Sequence, residues 1–207
     1  RLLELKKKYP LKVFLLRGNH ETEEMSLNDG FFDEIKEKYG NFGSKEVLDK
    51  ANELFDKLSL LLITGKNKKK KSIMAVHGGL VIFKKQGREV FSKIVFFVKN
   101  ILKMLSFKNH ILWSDPLSDT ENLRKSGIYC FPESALDQLN KEQGIHLIRA
   151  HQVMSAPKEA ITWDKKLLTV FSTGGRSKDS AYEGQVHSPY YVEVDLETFD
   201  GWEKIDG

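Results

Sequence analysis

Arg17-Gly18-Asn19-His20-Glu21 follows Lys12-Val13-Phe14-Leu15-Leu16, an apolar run whose length and composition predict a strand. An Asn beside a His at the C-terminal end of a strand can do two jobs. The amide oxygen can ligate a metal and the imidazole can carry a proton. Gly18 allows the sharp turn that brings them there. Three further polar clusters also follow apolar runs: Val76-His77-Gly78-Gly79, Trp113-Ser114-Asp115-Pro116 and Arg149-Ala150-His151. The pattern is that of a scaffold that gathers strand ends.

These clusters, followed by Thr169-Val170-Phe171-Ser172, stand in the order of the motifs of the phosphoprotein phosphatases. The chain resembles that family of metal-dependent Ser/Thr phosphatases, within the calcineurin-like metallophosphoesterase superfamily, from Arg1 to about Glu197. The family's two earlier motifs, Gly-Asp-x-His-Gly and Gly-Asp-x-x-Asp-Arg-Gly, do not occur. The expectation is one α/β catalytic domain over 1–207, N-terminally incomplete. The resemblance implies two mixed sheets flanked by helices, with metals at the strand ends.

The chemistry implied is hydrolysis of phosphoserine and phosphothreonine monoesters. Such esters are inert, and two metals about 3.5–4 Å apart supply a nucleophile at neutral pH and clamp the phosphate oxygens. By resemblance, Asn19, His77 and His151 ligate one metal, and His20 protonates the leaving alkoxide. Two divalent ions are implied, manganese first, with iron or zinc as alternatives. A guanidinium suits phosphate. The family's phosphate-binding Arg lies in an Asn-x-Arg-Gly pattern, which Asn122-Leu123-Arg124-Lys125 matches except at Lys125, so Arg124 is the candidate. Arg17 is expected to support the Asn19 loop, and Asp115 either orients neighbours or is a turn carboxylate before Pro116. Thr173-Gly174-Gly175-Arg176 departs from the family's Ala-Pro-Asn-Tyr, leaving Tyr182 or Arg176 as substitutes and pointing to a divergent branch. The absent motifs would carry the second metal's Asp and His, the bridging Asp, the Asp orienting His20 and another phosphate-binding Arg. The 207 residues are therefore expected to hold about half of an active site and to turn over little alone. The alternatives are a metallophosphoesterase acting on dinucleoside polyphosphates or other small phosphates, and a non-catalytic partner-binding remnant.

Composition supports a globular protein, with 40% hydrophobic and 30% charged residues. No apolar stretch reaches membrane-spanning length, so no membrane partner is expected. The single cysteine, Cys130, makes no internal disulfide and reads as a small buried hydrophobe in a reducing cytoplasm. The net charge of +4 owes much to Lys66-Asn67-Lys68-Lys69-Lys70-Lys71. No aromatics interleave with these lysines, so the run reads as a solvated turn and not as a nucleic-acid site. The expected partners are a phosphoprotein or phosphopeptide substrate and a regulatory protein.

Helices are expected over 2–8, stopped by Pro10; over 31–39, ending at Gly40; from a Ser44 cap through Val47, Leu48, Ala51, Leu54, Phe55 and Leu58; and from Pro132 through Leu136 and Leu139. Strands are expected over 60–63, 73–76, 111–113, 145–148, 160–163, 167–171 and 190–194, with a turn at Asp164-Lys165-Lys166. The segment 91–105 is apolar nearly all round and reads as a buried or edge helix, with partner docking as the alternative. His110, His146 and His187 lie outside the motifs and are expected to be structural.

Overall fold

A computed structural model describes residues 1–81, 83–85, 88–90, 105–117, 129–154, 160–172 and 191–203. Arg124, Arg176, Tyr182 and His187 lie outside them, as does the apolar run over 91–104. The chain divides into two compact units, Arg1–Leu62 and Ile63–Gly207.

The first unit is helical. Helix α1 (Leu2–Lys8) ends at Tyr9, just before Pro10. Helix α2 (Glu23–Asn28) starts at Thr22, whose hydroxyl accepts from the Met25 amide at 3.4 Å. Helix α3 (Phe31–Lys57) is interrupted at Gly40, where φ 71° and ψ 172° leave the helical region. Glycine reaches that conformation cheaply, so the expected break between two helices is present. Ser44 does not cap the second half: it lies inside the helix, past the break at Gly40, and its hydroxyl donates to the Asn41 carbonyl at 3.0 Å. Ile35 and Leu48 of α3 are buried, and Ser26 of α2 donates to the Asn52 side chain of α3 at 3.3 Å.

The strand expected over 12–16 is absent. The amides of Lys12 and Val13 both bond the Tyr9 carbonyl at 3.0 Å, which closes a turn at the start of the run, and 13–15 take no regular structure. What is left is one parallel bridge between Leu16 and Ser59, with the Arg17 amide on the Ser59 carbonyl at 2.9 Å.

The second unit is built on a mixed sheet. Strand β1 (Leu61–Ile63), in which the boundary between the units falls, opens the order β1-β2-β7-β9-β8. The other members are β2 (Ser72–Val76), β7 (Ile145–Arg149), β8 (Ile161–Thr162) and β9 (Leu167–Thr169). β2 runs parallel to β7 with Ser72 opposite Ile145, and β7 runs parallel to β9 with Arg149 opposite Thr169. β8 returns antiparallel to β9. The central strands are almost wholly buried, as parallel strands covered on both faces must be.

One cover is helix α5 (Glu133–Gln143), whose Ala135, Leu136 and Leu139 are buried at helical spacing. It starts after Pro132, as expected, and stops at Gly144 with φ 72°. The segment 191–203 joins a core of Ile73, Ala160, Leu168, Phe199 and Trp202, and the Trp202 indole donates to the Leu147 carbonyl at 3.1 Å. The expected strand over 190–194 does not form across 191–194. These residues pair with no strand among the described residues, and Val192 and Val194 serve by packing on that core.

Two small pairs complete the described elements: β3 (Phe83–Lys85) antiparallel to β4 (Arg88–Val90), and β5 (Asp115–Pro116) parallel to β6 (Cys130–Phe131). Helix α4 (Leu105–Trp113) replaces the strand expected over 111–113. The Ser114 amide bonds the His110 carbonyl at 2.9 Å, a helical i to i−4 contact that ends the turn. Three apolar residues cannot distinguish a strand from the last turn of a buried helix.

The lysine run forms the expected turn. Asn67 organises it by accepting from the Lys71 amide at 2.9 Å and donating to the carbonyls of Leu196 at 3.0 Å and Phe199 at 2.7 Å. The turn between β8 and β9 holds Trp163, Asp164 and Lys165 at φ 53°, 51° and 62°.

Candidate active site

In the first unit the loop before α2 is pinned from within. Arg17 is buried, its Nε donates to the Glu21 carbonyl at 2.8 Å, and its Nη1 donates to Asp56 Oδ1 at 2.7 Å. The Glu21 carboxylate reaches back to accept from the Gly18 amide at 2.7 Å. Arg17 therefore supports the loop, as its place in the sequence suggests. Asn19 is buried and its carbonyl accepts from the Thr22 hydroxyl at 3.0 Å, while His20 is half-exposed. The His20 Nδ1 lies 2.5 Å from Asp29 Oδ2. A carboxylate only accepts, so this contact places a proton on Nδ1 and leaves Nε2 directed elsewhere. Sequence reasoning assigns no residue of this chain to that orienting role. A carboxylate nine positions after a His is too weak a pattern to select.

In the second unit the parallel register of β2 and β7 sets two histidines side by side. Both strands end level, and the Ala150 amide bonds the His77 carbonyl at 3.0 Å just beyond them. The rings of His77 and His151 lie 5.1 Å apart between centroids, at 64°. Trp113 stands edge-on to His151 at 5.5 Å and 85°. His151 takes φ 70°, a conformation that costs a side-chain-bearing residue free energy and is held by its surroundings.

Those surroundings meet at Arg149. Its guanidinium is fully buried. Nε donates to the Gly78 carbonyl and Nη1 to the Gln152 side chain. Nη2 donates to the Ser114 carbonyl at 3.3 Å and to Asp115 Oδ1 at 2.8 Å. Asp115 is thus an orienting carboxylate and not merely a turn residue. The two glycines after His77 permit the close approach. A Cβ on Gly78 would sit 2.7 Å from the Ile111 carbonyl oxygen, and one on Gly79 would sit 2.1 Å from the Phe131 ring. Sequence reasoning misses the role of Arg149; the signal is an Arg at a strand end, two positions before a motif histidine.

His146 is buried, with Nδ1 3.2 Å from the Gly144 carbonyl, and burial pushes its pKa below the usual imidazole value. His110 packs on Tyr129 at 4.0 Å and is likewise lowered by burial. Cys130 is half-buried on β6; burial, then the charge of Asp115, pushes its thiol pKa up.

Two facing imidazoles are nitrogen donors of the kind that divalent first-row metals take. Among the described residues no group of three or more His, Cys, Asp or Glu gathers as a complete shell. His77 and His151 therefore fit a metal as part of its ligand set.

Comparison with known proteins identifies the family and the fold. A family model described as calcineurin-like phosphoesterase matches residues 1–155. The chain is 37% identical over 180 residues to the serine/threonine-protein phosphatase 4 catalytic subunit of Saccharomyces cerevisiae, covering 83% of this chain and 53% of that one. It is 32% identical over 180 residues to a protein phosphatase 2A catalytic subunit of Dictyostelium discoideum, covering 81% and 51%. The chain thus spans about half the length of these curated relatives. A solved serine/threonine phosphatase from Saccharomyces cerevisiae, described as similar to human phosphatase PP5, shares the fold with a TM-score of 0.63 at 22% identity, covering 84% of this chain and 52% of that one.

Proposed function

Since the chain belongs to the calcineurin-like phosphoesterase family, we propose that the whole protein is a metal-dependent phosphatase acting on phosphoserine and phosphothreonine in proteins. The observation that carries the reading is the pair of imidazoles, His77 and His151, set 5.1 Å apart at the ends of adjacent parallel strands. Open α/β sheets bind their ligands beyond the carboxyl ends of their strands.

On this reading His77 and His151 hold one divalent metal through ring nitrogens, and Asn19 is a metal ligand through its amide oxygen. Two metals, manganese in the first instance, supply Lewis-acid polarisation of phosphate oxygens and a nucleophile at neutral pH when bound. This chain's residues do the rest. Asp29 holds the His20 ring through Nδ1. The Nε2 proton of His20 goes to the oxygen of the departing serine or threonine, so that the product leaves as an alcohol and not as an alkoxide. Arg124 binds the phosphate through its planar fork. Relatives named as catalytic subunits favour a further, regulatory subunit as partner. The single cysteine suits a reducing compartment, and we place the protein in the cytoplasm.

The test compares hydrolysis of a phosphoserine peptide with that of a dinucleoside polyphosphate by the whole protein supplied with Mn²⁺. Preference for the peptide is expected. Preference for the dinucleotide would move the protein to the small-phosphate branch, and hydrolysis of neither would leave a non-catalytic, partner-binding role.

A further inference from the structure

Arg149 makes contacts that the proposed chemistry does not use, and their directions are specific. Its guanidinium is a rigid fork of five donors, and here the three nitrogens point three ways. Nε reaches the carbonyl of Gly78, the residue after His77. Nη1 reaches the side chain of Gln152, the residue after His151. Nη2 reaches the Ser114 carbonyl and Asp115, the residues that follow Trp113, whose ring lies edge-on to His151. One buried side chain thus bonds the immediate neighbours of both imidazoles and of the ring packed on one of them.

We propose that Arg149 is the positioning residue of the metal centre, setting the separation and mutual tilt of His77 and His151 by bonding their three loops to a single rigid plane. This rests on the metal role of the two histidines. The strained backbone of His151, at φ 70°, needs such a restraint, because a relaxed loop would swing the ring away. Gly78 and Gly79 let the His77 loop lie against its neighbours, since a Cβ at Gly78 would meet the Ile111 carbonyl oxygen at 2.7 Å and one at Gly79 the Phe131 ring at 2.1 Å. A lysine keeps the charge but offers one nitrogen on a flexible stem, so it cannot reach three loops in three directions.

The experiment titrates the full chain with Co²⁺ and follows its visible absorption, which reports coordination geometry without turnover, beside a thermal melt. Arg149→Lys is expected to bind Co²⁺ roughly 10- to 100-fold more weakly, the usual effect of losing an outer partner of a metal ligand, with an altered spectrum while still folded. His77→Ala and His151→Ala serve as controls and are expected to lose the spectrum. If those two variants bind Co²⁺ as the parent does, the metal reading fails and the inference with it. If they lose it while folded Arg149→Lys keeps the parent's affinity and spectrum, the metal reading stands and Arg149 only stabilises the fold. Should Arg149→Lys not fold, Gln152→Ala decides, because it removes only the arm beside His151. Weaker Co²⁺ binding supports the inference, and unchanged binding overturns it.

Discussion

His20 and its neighbour Asp29 show how one contact constrains a mechanism. With Nδ1 held by the carboxylate, only Nε2 can deliver a proton. His20→Asn in the whole protein should therefore keep its metals, since a donor is not a ligand. The rate on a phosphoserine peptide should fall roughly 10²- to 10⁴-fold, the usual share of general acid catalysis. With p-nitrophenyl phosphate, whose leaving group is a weak base, the loss should be smaller. Metal analysis beside rates on both substrates checks this; loss of metal, or equal damage to both substrates, would contradict it. Another histidine speaks to stability. Burial depresses the pKa of His146 in the folded state, so below the unfolded value of about 6.5 the unfolded chain takes up a proton that the folded chain refuses. That contribution to stability is present at neutral pH and is lost as pH falls through the window beneath the unfolded value. His146→Gln should flatten the acid side of the melting-temperature profile, as calorimetry across that window would show.

Elements fix what single residues can reach. The parallel register of β2 and β7 puts His77 beside Ala150, and sequence order alone does not reveal that these strands are neighbours. Much else is readable beforehand. The helix after Pro132, the break at Gly40 and the lysine turn follow from local stereochemistry, which a sequence displays directly. The failures come where tertiary bonding overrides a short apolar run. Residues 111–113 finish a helix whose Ile111 carbonyl accepts from the Gly78 and Gly79 amides, a contact between segments far apart in sequence. The run over 12–16 enters on a turn in which the Lys12 and Val13 amides share the Tyr9 carbonyl. Gly144 belongs to the readable class and gives a prediction at this scale. It ends α5 at φ 72°, and a Cβ there would lie 2.0 Å from the Lys70 carbonyl oxygen. Gly144→Ala must pay for the left-handed backbone and for displacing another backbone segment, so a loss of about 2 kcal/mol or more is expected in chemical denaturation. A loss below about 0.5 kcal/mol would mean that the turn over 66–71 yields readily.

At the scale of the molecule, the motif set divides between the units. Arg17, Asn19 and His20 belong to the first, and His77, Trp113, Arg149 and His151 to the second. The order of motifs along the chain is legible because each is a short, chemically distinctive string. The orienting roles of Arg149, Asp115 and Asp29 are not, because they depend on which loops the fold makes adjacent. We propose that His77 and His151 hold a metal on which phosphomonoester hydrolysis depends. The measurement is the rate of phosphate release from a phosphoserine peptide by the whole protein, with and without Mn²⁺, in the parent and in His77→Asn. Mn²⁺-dependent release is expected from the parent, and none above background from the variant at any Mn²⁺ concentration. Release by His77→Asn at the parent's rate, or release by the parent that ignores Mn²⁺ after chelation, would contradict it.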